Sequence, residues 1–169
     1  MNIHSNKGMY LEELINRTIS YLSLNHLAFI EKRNVPFCIV KKINDALFVG
    51  KLKSKSFVDY TGNYNGYHLE FEAKQTNKDY FDLHNLKDHQ WDFLNKFLKV
   101  KNSLAFVVVC FDKNNETYLV PIKTINEQIK NKKCFRFHYH DLKEKSIPLD
   151  VIYPGILNLI NGLNQLIKT

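Results

Sequence analysis

The chain has 169 residues, of which 44% are hydrophobic, and it carries a formal net charge of +7 with a pI near 9.2. This composition excludes a disordered polar chain and is enough to bury one core, so we predict a single domain over residues 1–169. The basic balance favours a polyanionic partner, with a lysine-rich proteome encoded by an A/T-rich genome as the alternative explanation.

The sequence shows neither a membrane-spanning run nor a signal peptide, and its cysteines are typical of an intracellular protein. No apolar run is long enough to span a bilayer, and residues 1–7 lack the apolar region of a signal peptide. Cys38, Cys110 and Cys134 lie far apart among apolar or aromatic neighbours. We therefore expect reduced core cysteines and a cytoplasmic location.

The first elements are a helix and two strands. Apolar residues recur at helical spacing over residues 8–25, where Glu12 and Asn16 share one edge that is ordinarily solvated. Residues 26–32 and 36–41 have the pattern of strands, with a break at residues 34–36 that includes Pro36.

Residues 41–56 combine an apolar centre at residues 46–49 with a set of flanking lysines: Lys41, Lys42, Lys51, Lys53 and Lys55. The segment is either a lysine-flanked edge strand that resists aggregation or a basic projection that follows a phosphate backbone. Phe48 is a candidate for stacking on a base, although a phenylalanine in such a run is more often a core residue.

Residues 57–74 predict a β-hairpin around Asn65-Gly66, because both residues tolerate positive φ. On the second strand, side chains alternate between two faces, so Glu70, Glu72 and Lys74 point the same way. The first strand brings Asp59 back beside them. One face of the hairpin thus gathers three carboxylates and an ammonium.

This set of side chains has two interpretations. Carboxylate oxygens are the ligands of Mg²⁺ or Mn²⁺, which would activate a water and stabilise charge on a phosphate, while Lys74 orients the water or neutralises the phosphorus centre. The alternative is an amphipathic strand with a solvated Glu/Glu/Lys face. Asp59, joined through a turn of suitable length, favours the metal site.

The remaining pattern is helix, strand, strand and helices. After a polar connection at 75–82, a helix is predicted at 85–99 with Asp88, His89 and Gln90 in its first turns, and residues 104–111 predict a central buried strand. A turn at 114–115 leads to a strand at 116–120 and a short helix from Pro121 to about residue 130. Residues 131–145 are mixed and basic, residues 147–152 are extended, and a last helix covers 154–168. His138 and His140 alternate within residues 135–140, where strand surface is a better interpretation than metal ligation. The order predicts an α/β fold, a mixed sheet flanked by helices.

Several of these residues resemble a known family. Asp59 followed by Glu72-Ala73-Lys74 matches the D…ExK pattern of the PD-(D/E)XK nucleases, a short motif on its own. Together with the other segments, the chain is similar over nearly its whole length to the RecU Holliday junction resolvases of Gram-positive bacteria and their wall-less relatives. These segments are Asn6-Lys7-Gly8-Met9, Leu11-Glu12, Asp59-Tyr60, Tyr64-Asn65-Gly66, Phe71-Glu72-Ala73-Lys74, Asp88-His89-Gln90 and Tyr153-Pro154.

The resemblance implies a restriction-endonuclease-like fold and a homodimeric endonuclease that uses Mg²⁺ or Mn²⁺ to cut opposed strands of a four-way DNA junction. Carried over, the metal ligands are Asp59, Glu72 and Gln90, and Lys74 stabilises the transition state. Glu70 stands where relatives usually carry Asp, and Glu12 matches the first-helix acid that supports the site from its outer side. Phe57 replaces a frequent Thr, which leaves only a backbone oxygen as a ligand at that position.

Residues 41–56 correspond to the family's stalk, which enters the open centre of the junction and is a few residues shorter here. Its lysines are the expected DNA contacts, and recombinase and branch-migration proteins are the further expected partners. Two alternatives remain: a non-catalytic junction- or recombinase-binding protein, and a nuclease for another DNA structure. The intact Asp59, Glu72 and Lys74 set argues against the first, and the whole-chain match argues against the second.

Overall fold

A computed structural model describes residues 9–34, 36–52, 57–132 and 135–168. The helices within these ranges are α1 Met9–Leu24, α2 Asp88–Phe97, α3 Ile122–Lys132, α4 Tyr139–Lys145 and α5 Leu159–Ile167, with a 3₁₀ turn at Leu83–Asn85. The strands are β1 Phe29–Lys32, β2 Phe37–Lys42, β3 Phe48–Leu52, β4 Tyr60–Tyr64, β5 Tyr67–Thr76, β6 Tyr80–Asp82, β7 Ser103–Phe111, β8 Glu116–Pro121, β9 Arg136–His138, β10 Ile147–Pro148, β11 Val151–Ile152 and β12 Ile156–Leu157.

Six strands form one mixed sheet in the order β1-β4-β5-β7-β8-β10. The pairing of β5 with β7 is parallel, and the other four pairings are antiparallel. Every residue of β7 after Ser103 is buried, as expected for a central strand whose two faces are both covered. The predicted central strand and the mixed α/β sheet are confirmed.

Helices pack on both faces of this sheet. On one face, β-strand residues such as Phe71 and Phe106 form a core with α1 and α5. On the other face, Val107 and Val109 form a second core with α2, α3 and α4. The alternation along β5 sends Leu69 and Phe71 into the first core, so the intervening side chains point towards the face that α2 covers.

The predicted hairpin at residues 57–74 is present as β4 and β5. Asn65 and Gly66 have φ values of 47° and 80°, the positive values that a two-residue hairpin turn requires. The register places Tyr60 opposite Phe71 and Tyr64 opposite Tyr67. The turn therefore fixes which residues of the two strands become neighbours.

The predicted stalk, residues 41–56, overlaps a separate hairpin of β2 and β3, which begins earlier, at Phe37, and forms a two-stranded sheet. Lys41, Lys42 and Lys51 are exposed on it, while Lys53 and Lys55 lie outside the described residues. Phe48 is 42% exposed, with the Lys42 ammonium 6.0 Å from its ring centroid. The large exposed apolar residues of this hairpin are Phe37, Ile39, Val40, Ile43, Leu47, Phe48, Val49 and Leu52.

Several predicted boundaries shift. The first strand begins at Phe29 because His26, with φ of 53°, ends the preceding helix in a turn. The last helix begins at Leu159 and not at residue 154, because β11 and β12 pair across residues 151–157. The helix predicted from residue 85 begins at Asp88, after the 3₁₀ turn.

Two smaller expectations also change. His138 ends β9 and His140 belongs to α4, so the two histidines do not alternate along one strand. Cys110 is buried as predicted, whereas Cys38 is only half-buried on the β2–β3 hairpin and Cys134 is outside the described residues. None of the helices in the described ranges has both the length and the apolar character needed to cross a bilayer.

Gly62 on β4 provides a test of the sheet. A Cβ atom there would lie 2.4 Å from the carbonyl oxygen of Phe29 and 2.8 Å from the Cα of Ile30, both backbone atoms of β1. We expect Gly62→Ala to lower the free energy of unfolding by roughly 1–3 kcal/mol, because β1 must move. Urea unfolding measures the change.

Gly66→Asn is the matched control. A Cβ atom at Gly66 meets nothing within 4 Å, and asparagine tolerates the positive φ of this position. We expect a loss below about 1 kcal/mol. Equal losses for the two variants would contradict the assignment of β1 as a closely packed neighbour of β4.

Candidate active site

The candidate site is built on β5, whose side chains alternate between the two faces of the sheet. Glu70 and Glu72 are each only 1% exposed, and Lys74 follows them on the same side. Opposite them on the parallel neighbour β7 stand Val107 and Val109, which belong to the apolar core. The strand thus carries charged groups into a mostly dry interior, where each one needs a partner.

Glu72 is the centre of the resulting network. Its Oε1 atom accepts hydrogen bonds from Lys74 Nζ at 2.5 Å and from Gln90 Nε2 at 2.7 Å. Its Oε2 atom accepts one from the backbone N–H of Asp59 at 3.0 Å. A single buried carboxylate therefore connects β5, α2 and the residue that leads into β4.

Asp59 reaches the site because of the hairpin register. Tyr60 pairs with Phe71, so the preceding residue of one strand lies beside the following residue of the other. The Asp59 Oδ2 atom accepts a hydrogen bond from the Ala73 backbone N–H at 3.4 Å, and the residue is half-buried. Two carboxylates with separate backbone anchors thus face one site.

Gln90 stands in the first turn of α2 and contacts both the helix end and the site. Its Oε1 atom accepts a hydrogen bond from the Lys87 backbone N–H at 3.0 Å, which satisfies one of the free donors at a helix N-terminus. Its amide nitrogen faces Glu72. Gln90 is therefore in place, but its oxygen points to the helix and its nitrogen to the carboxylate.

Burial raises the pKa of Glu72 to about 7; the nearby Lys74 ammonium offsets part of this effect, and the negative charge of Asp59 adds to it. Removal from water disfavours the charged form of a carboxyl, and a second carboxylate close by does the same. The site therefore has an excess of negative charge that Lys74 alone does not neutralise.

The oxygen donors suit Mg²⁺ or Mn²⁺, which prefer carboxylate, carboxamide and water ligands. Asp59 and Glu72 repel each other, and a cation between them would relieve that repulsion. Within the part of the chain that the structure describes, no three His, Cys, Asp or Glu side chains gather as a metal cluster. The site thus supplies two carboxylates, and further ligands would come from Gln90, solvent or a phosphate.

Glu70 has different neighbours from Glu72. It forms an ion pair with Arg33, and Thr61 donates a hydrogen bond to its Oε1 atom at 2.9 Å. His68 lies 3.7 Å from the same atom. The structure therefore places Glu70 beside the site as the partner of Arg33, two residues along β5 from Glu72.

Sequence reasoning missed Arg33 and Thr61. Arg33 follows β1, and its backbone N–H donates to the Asp59 carbonyl at 2.7 Å. Thr61 lies directly opposite Glu70 in the β4–β5 hairpin, so the hairpin register could have placed it. The contacts of Arg33 depend on the pairing of β1 with β4, which joins residues about thirty positions apart. No local pattern marks such a pair; the only signal is that buried Glu70 requires a cation.

Glu12 lies towards the other face of the sheet. Its carboxylate forms an ion pair with Lys32 of β1, and both side chains are exposed. The charge of Glu12 nevertheless reaches Tyr60, whose pKa is raised by burial and further by Glu12, Asp59 and Glu72. Glu12 is thus near the outer side of the site without joining the Glu72 network.

The lysines Lys41, Lys42 and Lys51 lie on the separate β2–β3 hairpin.

A comparison with protein families matches residues 6–165 to the family described as RecU, Recombination protein U. The chain belongs to the RecU family. It is similar to a protein named Holliday junction resolvase RecU from Ureaplasma parvum serovar 3, with 36% identity over 164 residues, which cover 96% of this chain and 95% of the relative.

Two further relatives carry the same printed name. The one from Mycoplasmopsis pulmonis is 32% identical over 166 residues, covering 98% of this chain and 99% of the relative. One from Streptococcus pneumoniae is 33% identical over 158 residues, covering 88% of this chain and 73% of the relative. The family resemblance seen in the sequence is confirmed over nearly the whole length of the chain.

The raised pKa of Glu72 predicts a pH dependence of stability in metal-free protein. The unfolded value is 4.5 and the folded value about 7, so folding favours the protonated carboxyl. This contribution is complete below pH 4.5 and is lost as the pH rises through about 7. We expect wild-type protein to lose on the order of 3 kcal/mol more than Glu72→Gln across that window.

Urea unfolding of both proteins in chelator, at intervals between pH 4.5 and 8, measures this difference. The subtraction removes histidines and other groups that titrate equally in the two proteins. Parallel stability curves would show that Glu72 titrates in the folded protein as it does in the unfolded chain.

Proposed function

We propose that this RecU-family protein is a Holliday junction resolvase, an endonuclease that hydrolyses phosphodiester bonds of four-way DNA in recombination and repair. The observation that carries the proposal is the contact network of Asp59, Glu72, Lys74 and Gln90 around one buried carboxylate. The relatives named Holliday junction resolvase RecU match along 96% and 98% of this chain, so the proposal concerns the whole domain.

Asp59, Glu72 and Gln90 are the proposed ligands of Mg²⁺, with Mn²⁺ as the alternative. The bound metal would supply an activated water and neutralise charge on the phosphate. Because the Gln90 amide nitrogen faces Glu72 in the structure, ligation by its oxygen requires the side-chain amide to reverse. This reversal would break the hydrogen bond from the Lys87 backbone N–H to Gln90 Oε1. The orientation of Gln90 would therefore differ between the metal-free and the metal-bound site.

Lys74 is the proposed stabiliser of the transition state. Its ammonium already lies 2.5 Å from Glu72 Oε1, and its side chain remains 22% exposed, so it faces both the carboxylate and the approach from solvent. Hydrolysis forms a bond between a water oxygen and phosphorus, breaks one phosphorus–oxygen ester bond and releases the water proton, while a second negative charge develops on a diester that already carries one. A fixed cation at that position stabilises those charges without further reorganisation.

Glu70 and Glu12 are proposed to support catalysis from outside the metal position. Glu70 holds Arg33 against the α2 face, and Arg33 in turn contacts the Asp59 backbone. Glu12 pairs with Lys32 at the outer side of β4. Both residues would position Asp59 and its strand rather than touch the phosphate.

The β2–β3 hairpin is the proposed stalk for DNA, within a single nuclease domain. Exposed Lys41, Lys42 and Lys51 would contact phosphates, together with Lys53 and Lys55 outside the described residues. A symmetric junction calls for two sites, so we propose a homodimer. The exposed apolar side chains of the hairpin support this, since a second copy would cover them.

Recombinase filaments and branch-migration proteins are proposed as protein partners, in the cytoplasm, on the family resemblance alone. A non-catalytic junction-binding protein is the other function that the sequence allowed. The complete Asp59, Glu72 and Lys74 network argues against it, because a binding module needs no buried carboxylate held beside a second carboxylate and a lysine.

Cleavage of an end-labelled four-way junction tests the function. We expect Mg²⁺- or Mn²⁺-dependent paired nicks, and Asp59→Asn, Glu72→Gln or Lys74→Ala to lower the rate at least about 100-fold. Gel shifts in chelator are expected to show junction binding within a few-fold of wild type, since these residues act on the phosphate and not on the DNA arms.

Lys168→Ala is the control, because Lys168 is an exposed lysine beyond α5 on the opposite face of the sheet. Its cutting rate is expected to match wild type. Binding without nicks by the wild-type protein, in either metal, would favour the binding-only function. Equal losses of binding and cutting in all three site variants would show that these residues stabilise the fold and do not act in catalysis.

Neutralising Lys51, Lys53 and Lys55 to glutamine tests the stalk. Each phosphate contact releases counterions, so we expect the slope of log affinity against log salt to flatten by roughly 0.9 per lost contact. Lys168→Gln, which removes one positive charge where the triple variant removes three, serves as the control for charge loss away from the hairpin. An unchanged slope in the triple variant would remove the hairpin from the DNA contact.

A further inference from the structure

Beside the candidate site, a row of aromatic rings runs along α2. The Phe57 and Phe93 ring centroids are 5.0 Å apart with an interplanar angle of 22°, and Phe97 continues the row at 6.2 Å and 14°. His68 closes the far end with an edge-on contact to Phe97 at 5.0 Å. The outer ring, Phe57, is 55% exposed, so the row ends in an open aromatic face.

The position of this row links it to the chemistry. Phe57 comes two residues before Asp59, and Phe93 lies three residues after Gln90 on α2, about one helical turn away. The Arg33 guanidinium carbon lies 5.8 Å from the Phe93 ring centroid. Phe57 and Phe93 are thus close in sequence to Asp59 and Gln90, two of the three residues proposed to hold the metal, and the Arg33 cation lies near the inner ring.

We propose that Phe57 is a nucleobase-stacking residue, which holds the base of a nucleotide next to the scissile phosphate. This rests on the proposed function, and it names what the site recognises beside the phosphate: an exposed base face at the branch point. Bases at a branch point lack the uninterrupted stacking of a duplex. An exposed phenylalanine supported by a second ring offers such a base a replacement surface of any sequence.

The ring arrangement supports a base more than other occupants. Phe57 already stacks on Phe93 within 22° of parallel, so a flat base on its outer face would extend an existing stack. The net charge of +7 adds attraction for a polyanion. The competing occupants are a second copy of the chain and the neighbouring residues 53–56, and both are outcomes of the test.

The experiment uses full-length protein in chelator, which keeps the DNA intact, and a four-way junction with 2-aminopurine at the branch point. Stacking on an aromatic ring quenches this probe. We expect quenched fluorescence with wild type and with Phe57→Trp, and a several-fold higher signal with Phe57→Ala. The affinity of Phe57→Ala for the junction is expected to fall roughly 5- to 30-fold.

Phe29→Ala is the matched control. Phe29 is 57% exposed but lies on β1 opposite Asn63, at the turn end of the β4–β5 hairpin and away from Asp59. We expect its fluorescence and affinity to equal wild type. Equal effects of the Phe29 and Phe57 substitutions would overturn the proposal, because they would reflect lost apolar surface in general.

Other outcomes separate this inference from the proposed function. Wild type that cuts the junction, with Phe57→Ala unchanged in fluorescence and affinity, overturns the stacking role while the resolvase function stands. Wild type that neither binds nor cuts a junction, but quenches a single-stranded 2-aminopurine oligonucleotide through Phe57, overturns the function alone. Conversion of a dimer to a monomer by Phe57→Ala, seen by light scattering, assigns the ring to a second copy and overturns the proposal.

Discussion

The structure of the site depends on one buried carboxylate, Glu72. An ionised side chain at 1% exposure is unfavourable unless its oxygens are paired, and here Lys74, Gln90 and the Asp59 backbone fill those roles. Each partner comes from a different element. The requirement to satisfy Glu72 therefore aligns β5, α2 and the entry to β4 with one another.

The same requirement explains why β5 has one apolar face and one charged face. Leu69 and Phe71 belong to the core under α1, and the alternate residues carry charge towards α2. Glu70, two residues away on the same face, has a similar arrangement with Arg33 as its cation. Two neighbouring buried acids, each with its own cation, therefore give this face of β5 a charged character beside an otherwise apolar core.

Patterns within a short stretch of sequence predicted the features that depend only on neighbouring residues. The Asn65-Gly66 turn and the alternation along β5 were sufficient for the hairpin and for the side of Glu70, Glu72 and Lys74, because a two-residue turn fixes register. The family motif added Gln90, which no periodicity marks. Arg33 was not foreseeable, since it depends on β1 pairing with β4. The late start of α5 was missed because short strands such as β11 and β12 are too brief to leave a pattern.

The parallel pairing of β5 with β7 has a consequence for the growing chain. It joins His68 to Ser103 and Thr76 to Phe111, contacts between residues 35 apart. Such distant parallel pairs form slowly, after local hairpins and helices. The four residues of the Glu72 network leave the ribosome before β7 does, yet β5, which carries Glu72 and Lys74, has no parallel neighbour until residues 103–111 are available. A chain that ends before that point contains all four residues but lacks the central strand of the sheet that supports them, so we expect it to be inactive.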